Sequence, residues 1–295
     1  MLVDRYGRVI RHLRISVTTR CNLNCIYCHM EGEKPSGDEM SVDEIARICK
    51  AFYDLGVQKV KITGGEPLLR KDIIEIVQEM PPFKDISIVT NGTLLSKLAY
   101  ELKEAGLHRI NVSLDTLKEE RYRFITGKNM LKNVIDGIHS AYDAELFPIK
   151  LNMVVLRGIN DDEIEDLLEF ASNFNRNNEI KVILQLIEVV NMPNYHLDLS
   201  KLESKFSSIA ERIIVRGLHK RRQFIFGNKA VEFVRPFHGE FCMHCTRIRV
   251  TSDGKIKPCL LRNDNLVDLR GLSYEETIKA IKRAVALREP FFKNA

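Results

Sequence analysis

Six times between His12 and Ile187, a short run rich in β-branched residues precedes a longer stretch of helical period. The runs are His12–Thr18, Val57–Thr63, Asp85–Thr90, Arg109–Leu114, Pro148–Leu156 and Ile180–Ile187. Strands separated by helices must run parallel, because the connection has to cross back over the sheet, and such crossovers are right-handed. Six repeats fall short of the eight that close a (βα)8 barrel. The expected fold is therefore α/β, a partial (βα)6 TIM-like barrel whose open side needs a cover.

Local signals mark the connections. Ser41 with Glu44 and Asn160 with Glu163 read as capping boxes, opening helices that reach about Leu55 and about Phe174. Gly56 and Gly106 close helices, Pro81-Pro82 ends the one that starts near Lys71, and one or two helices span Leu117–Glu145. Beyond Asn191 the rhythm changes. Leu199 to about Val215 reads as helix, Arg222–Val234 as a hairpin around Gly227-Asn228, and Ser273 with Glu276 as the cap of a last helix to about Leu287. This divides the chain into a barrel domain, 1–195, and a C-terminal region, 196–295, packed over the barrel mouth.

The seven cysteines are Cys21, Cys25, Cys28, Cys49, Cys242, Cys245 and Cys259. Two tight triplets at opposite ends of the sequence point to metal binding in a reducing compartment, hence the cytosol, and away from a disulfide framework. Cys49, inside an amphipathic pattern, reads as a buried spare. No run of about 18 apolar residues is present and the first residues lack a cleavage signal, so neither a membrane span nor a secretory leader is expected.

Cys21-x3-Cys25-x2-Cys28 can hold three irons of a cubane on one loop, leaving the fourth iron open to a ligand. Zinc would need a fourth ligand, for which His29 is the nearby candidate. This spacing, with Tyr27 directly before the third cysteine, matches radical enzymes that use S-adenosylmethionine. Gly64-Gly65-Glu66-Pro67 ends the second strand, where a barrel keeps its ligands. Its glycines let backbone approach a ligand and leave amides free to hydrogen-bond, although a tight turn needs no ligand. Asn111 and Ser113 end the fourth strand and face the same mouth.

Cys242-x2-Cys245-x13-Cys259 lacks a good fourth ligand; with His238 as closer it would make a zinc site. Arg247 and Arg249 share one face of an extended segment, and their guanidinium forks suit phosphate oxygens. From Arg216 to Arg262 eleven Lys or Arg stand against three acids, a patch suited to a polyanion or to a nucleotide's phosphates. A second cluster with an open iron beside such arginines suggests a nucleotide whose base reaches that iron.

RISVTTRCNLNCIYC, KITGGEPLLR, TNG, NVSLD and FCMHCTRIRVTSDGKIKPCLL together make the chain resemble, essentially end to end, the GTP 3′,8-cyclases called MoaA. The resemblance implies two 4Fe-4S clusters, S-adenosylmethionine as cofactor, GTP as substrate and an external electron donor. It also implies a product passed to cyclic pyranopterin monophosphate synthase (MoaC), and a homodimer. Carried over by position, Tyr27, Gly64, Gly65, Glu66, Ser113 and Val190 fall on the cofactor side. Arg14, Lys61, Thr90, Lys150, Arg247 and Arg249 fall on the GTP side, with Cys21, Cys25, Cys28, Arg247 and Arg249 at the chemistry. Departures are Gln185 where relatives carry an arginine, Val190 where they carry a methionine, with Met192 a weaker substitute, and Phe292–Ala295 where many end in Gly-Gly. Lys61 replaces an arginine, keeping charge and losing the fork. Rival readings are another radical enzyme with an auxiliary cluster, such as a peptide-maturation enzyme, or a zinc-bearing nucleic-acid-binding protein. The second leaves the first triplet unexplained, so no nucleic-acid partner is expected.

Overall fold

The computed structural model describes residues 1–34, 37–177, 179–236 and 239–289, with backbone alone at 239 and 240. Strands β1 (His12–Ser16), β2 (Lys59–Thr63), β3 (Asp85–Thr90), β4 (Arg109–Ser113), β5 (Ile149–Val155) and β6 (Val182–Glu188) form in the expected places. They pair in sequence order, each parallel to the next. Between them lie helices α1 (Val42–Asp54), α2 (Ile73–Gln78), α3 (Leu95–Glu104), α4 (Glu119–Thr126), α5 (Leu131–Asp143) and α6 (Ile164–Ser172). Helix α1 turns Ile45, Ile48, Cys49, Ala51 and Phe52 onto the sheet, and burial of Cys49 pushes its thiol up, as suits an inert core residue. Ser41 and Glu44 form the expected capping box, as do Ser273 and Glu276.

The C-terminal region adds strands to both edges of this sheet. After α7 (Ser200–Ile209) come β7 (Arg212–Val215), β8 (Arg222–Phe226) and β9 (Lys229–Val234), then the short α8 (Gly239–Met243), β10 (Arg247–Val250), β11 (Lys255–Lys257), β12 (Val267–Asp268) and α9 (Tyr274–Ala286). Strand β9 joins β6 and β10 joins β1, both parallel, giving the order β12-β11-β10-β1-β2-β3-β4-β5-β6-β9-β8-β7. The sheet stays open between β12 and β7, an incomplete barrel widened by its own tail.

Two local expectations are corrected. Asn160 and Glu163 do not cap a helix. Asn160 Oδ1 accepts from Leu156 N at 2.7 Å and its amide donates to the Asp115 and Val154 carbonyls, while Glu163 accepts from Thr116 and Leu117. The helix from Leu199 ends at Ile209, because Arg212–Val215 pairs with β8.

Candidate active site

The cysteine loop leaves the carboxyl end of β1 and is fixed from three neighbouring strand ends. Asn91, after β3, donates to Asn22 Oδ1 at 2.8 Å and to Cys21 Sγ at 3.8 Å, and Asn22 donates to Thr93 at 2.9 Å. The Tyr27 hydroxyl donates to Asp115 at 2.5 Å, and Asp115 also accepts from Val154 N. Burial raises the Asp115 carboxyl to about 6 against the opposing pull of the Tyr27 bond. Asn24 and Ile26 donate their N–H groups to the carbonyls at the end of α4. Cys21 and Cys28 are exposed and Cys25 half-buried, with Leu23 N 3.5 Å from Cys21 Sγ and Met30 N 3.4 Å from Cys28 Sγ. Amides aimed at accessible sulfurs are the setting a thiolate-bound cluster needs, so the donor set fits an iron–sulfur cluster on these three residues. Among the described residues, no three His, Cys, Asp or Glu side chains converge as ligands of one metal ion.

Gly64–Pro67 is packed against the strand that feeds this loop. A Cβ on Gly64 would lie 2.4 Å from the Thr18 carbonyl oxygen, and one on Gly65 2.3 Å from that of Arg20. The expectation of free amides is corrected: Gly65 N donates to Thr18 O and Glu66 N to Arg20 O, both at 2.8 Å. The glycines allow two backbones to touch. Glu66, fully buried, accepts from Leu68 N at 2.9 Å, Thr90 Oγ1 at 2.7 Å and Asn91 N at 2.6 Å, tying the ends of β2 and β3 together. Ser113 stands half-buried at the end of β4, in register with Asn152. Val190 is half-buried just past β6, next to Val189, which packs with Tyr27, Leu156 and Met192.

The inner face of the sheet is polar. Register aligns Arg249 with Arg14, Arg14 with Lys61, Asn111 with Lys150, Asn152 with Gln185 and Gln185 with Glu232. Side chains bond along that line: Lys61 Nζ to Asn111 at 2.8 Å, Gln185 Nε2 to Asn152 at 2.8 Å, and Lys150 to Glu232. Arg221 adds an ion pair with Glu232 at 3.0 Å and Arg216 one at 3.6 Å. Burial, then repulsion from Arg109, Arg14, Lys150 and Arg247, holds the Lys61 ammonium well below its ordinary range. Lys150 falls to about 8, burial and the arginines outweighing Glu232. Arg247 and Arg249 form no ion pair among the described residues, and the Arg249 Nε is buried without a partner. This belt is short of anions.

Cys242, Cys245 and Cys259 are half-buried at the β10 edge. Burial would raise the Cys245 thiol, but Arg288, Arg247 and Arg249 bring it below its ordinary range. Arg288 Nη2 lies 3.5 Å from Cys245 Sγ and bonds the Cys245 and Arg247 carbonyls at 3.0 Å, while Nη1 meets Asp4 at 2.8 Å. Arg8 pairs with Asp4 at 2.7 Å and bonds the Cys242 carbonyl at 3.0 Å. A guanidinium at the Cys245 sulfur and others on the Cys242 and Cys245 carbonyls give this triplet donors that fit a second cluster. His238 and Phe292–Ala295 lie outside the described residues.

Sequence reading passed over several of these groups. Asp115, Glu232 and Arg288 act through contacts across the fold. His219 is buried with its Nε2 unpartnered, stacks on Phe241 at 3.5 Å, and has left-handed backbone (φ 61), which a non-glycine residue rarely adopts. Burial, then Arg247, Arg221 and Arg249, keeps its imidazole neutral.

An open parallel barrel with a three-cysteine loop after its first strand defines a class, and the family model described as the Radical SAM superfamily matches residues 15–171. A second, Molybdenum Cofactor Synthesis C, matches residues 183–293. A probable GTP 3′,8-cyclase of Archaeoglobus fulgidus is 52% identical over 100% of both chains, and one of Pyrococcus abyssi is 47% identical over 99% of this chain and 100% of its own. The chain belongs to the GTP 3′,8-cyclase family of radical SAM proteins. Membership implies S-adenosylmethionine and a 4Fe-4S cluster, in keeping with the donor set on the first loop. Among solved structures, Streptococcus suis SuiB bound to S-adenosylmethionine aligns with a TM-score of 0.63 at 20% identity, covering 85% of this chain and 58% of that one. The anSMEcpe protein with bound AdoMet aligns at 0.62 and 19%, covering 92% and 81%. At such identities the likeness concerns the fold alone. Among the described residues no helix is long and apolar enough to cross a membrane.

Proposed function

We propose that this chain converts GTP, with S-adenosylmethionine and a reductant, to (8S)-3′,8-cyclo-7,8-dihydroguanosine 5′-triphosphate, 5′-deoxyadenosine and methionine, the first step of molybdenum cofactor synthesis. The observation that carries this reading is the cationic inner belt, running from β10, beside the second cysteine triplet, across the sheet whose β1 feeds the first. Cys21, Cys25 and Cys28 would hold a 4Fe-4S cluster, which when bound would supply the electron for cleavage of S-adenosylmethionine. Asn91, Tyr27 and Glu66 hold the loop and its flanking turn in place, with Gly64, Gly65, Ser113 and Val190 on the cofactor side; Thr90, a GTP-side residue by the resemblance, also donates its hydroxyl to Glu66. Arg14, Lys61, Lys150, Arg247 and Arg249 bind the triphosphate, exchanging mutual repulsion for contact with phosphate oxygens. Cys242, Cys245 and Cys259 would hold a second 4Fe-4S cluster, which would supply an open iron for the guanine. The barrel strands lie within residues 1–195, and the described strands after 196 extend the sheet at both edges, an enclosure that would keep water from the radical. The enzyme works in the cytoplasm as a homodimer, takes its electron from an external donor and passes product to cyclic pyranopterin monophosphate synthase.

The direct test is turnover of GTP deuterated at C3′ by anaerobically reconstituted protein. Deuterium in the 5′-deoxyadenosine is the expected result. Unlabelled 5′-deoxyadenosine, formed at a rate indifferent to GTP, would remove GTP as substrate and leave the radical chemistry standing.

Binding carries a pH signature. Phosphate favours the protonated Lys150, whose free-protein value is lowered to about 8. Above that pH, binding must take up a proton, so affinity for GTP falls by about tenfold per pH unit for each such lysine. Lys150→Arg removes the contribution of Lys150 to this limb and leaves that of Lys61. Calorimetric titrations from pH 6.5 to 9.5 check it, and an identical profile in the arginine variant would mean Lys150 does not face the ligand.

A further inference from the structure

The loop after Cys28 delivers a carboxylate into the cationic belt. Met30 and Glu31 both take left-handed backbone, φ 48 and φ 54, a conformation that costs non-glycine residues energy and persists only where surroundings enforce it. Here the β10–β11 segment enforces it. Lys257 Nζ donates to the Gly32 carbonyl at 3.0 Å, and Ser252 N and Oγ both donate to Glu33 at 3.0 Å. Stapled there, Glu31 pairs with Arg14 and accepts from the Thr63 hydroxyl at 3.0 Å. Burial opposes its charge, yet Arg14, His29 and Arg249 bring its carboxyl down to about 2, so it is ionised. Arg14, Glu31, Glu33, Thr63, Arg249 and Lys257 line one narrow crevice, where Glu33 is taken up by Ser252 and Glu31 is the carboxylate that meets Arg14.

We propose that Glu31 stands in for a substrate phosphate, holding Arg14 and Arg249 in place in the free protein and giving way when a phosphate-bearing ligand arrives. It is a positioning residue that sets substrate affinity. The inference rests on the reading that the barrel binds a triphosphate. An internal anion that must be displaced weakens apparent affinity by the fraction of time it occupies the site. Removing it therefore strengthens binding, whereas removing a group of merely structural value weakens it.

The test is calorimetric titration of wild-type, Glu31→Gln and Glu31→Ala full-length protein with inorganic tripolyphosphate, and separately with GTP. Tripolyphosphate affinity is expected to rise about tenfold in both variants. In turnover, KM for GTP should fall with no gain in kcat. Affinity unchanged or reduced in the variants, with wild-type melting curves, would overturn the proposal. GTP binding to none of the three proteins would sink the GTP reading, and the tripolyphosphate result would still decide the role of Glu31. Hydrogen exchange on the wild type decides it without a variant: residues 29–33 should exchange faster once tripolyphosphate saturates the site, and unchanged or slower exchange counts against displacement.

Discussion

Asp4→Asn is expected to destabilise the protein by about 3–5 kcal/mol, the range seen when one partner of a buried ion pair is removed. Asp4 is shared by two guanidiniums, Arg8 and Arg288, whose side chains are 7% and 2% exposed, while its own is fully buried. It also accepts from the Tyr6 and Arg8 amides, both at 3.0 Å. Asparagine keeps those two bonds through Oδ1 but puts its amide where Oδ2 met both guanidiniums, leaving buried positive charges facing each other. Because Arg8 and Arg288 bond the carbonyls of Cys242 and Cys245, the loss should reach the cysteine knuckle as well as the global fold. Urea unfolding at constant slope checks the first effect, and iron retained per chain after anaerobic reconstitution the second. Asp4→Asn with Arg288→Met should lose less than the sum of the single changes, since the methionine removes one of the stranded charges. Full additivity would mean that the triad is not a unit.

That triad shows where sequence reading stops. Asp4 and Arg288 lie 284 positions apart, and no local pattern announces their meeting. What was legible was local or periodic: six strands, the caps at Ser41 and Ser273, the hairpin at Gly227-Asn228, and both cysteine triplets by spacing. The Asn160–Glu163 spacing imitates a capping box, but the Asn160 amide serves the Asp115 and Val154 carbonyls, a demand set by tertiary structure. The run Ile213-Ile214-Val215 carried a strand signal that helical periodicity in the residues before it masked. The attachment of β9 and β10 to opposite sheet edges is a non-local pairing, beyond what repeat counting can supply.

The cationic belt was half visible. Arg14, Lys61 and Lys150 followed from family resemblance alone, whereas Arg247 and Arg249 were also read from their shared strand face, a signal present in other strands. HLRIS, KVKIT, RINVS and RIRV alternate polar with apolar residues, whereas parallel strands covered on both faces are usually apolar throughout. In a parallel sheet such alternation marks a polar interior. Asn111, already read as facing the mouth, fits the same argument. Gln185, where the resemblance leads one to expect an arginine, takes its place in that interior by bonding Asn152 and accepting from Arg221 Nη1 at 3.2 Å.

Gly65→Ala should reduce S-adenosylmethionine cleavage by about a hundredfold while leaving the cysteines intact, the effect of moving reacting groups by about 1 Å. The argument is geometric. The added methyl would sit 2.3 Å from the Arg20 carbonyl oxygen, 2.7 Å from the Arg20 carbonyl carbon and 2.7 Å from the Thr19 carbonyl oxygen, where ordinary contact begins at 3.4 Å. All three neighbours are backbone, so no rotamer change can relieve the clash. Either the Gly64–Pro67 turn or the Thr18–Arg20 segment must retreat, breaking the bonds from Gly65 N to Thr18 O and from Glu66 N to Arg20 O. Retreat of Glu66 loosens Thr90 and Asn91, and Asn91 is the group that reaches Asn22 and Cys21. The displacement is thus passed to the cluster loop from two sides, through the backbone before it and the asparagine beside it. Alanine at Gly37, where an added Cβ meets nothing within 4 Å, should leave cleavage near wild type. The measurement is 5′-deoxyadenosine formed per cluster under strong reductant, with iron content matched between proteins. Equal rates for the Gly65→Ala and Gly37→Ala proteins would show that the turn yields without moving the loop.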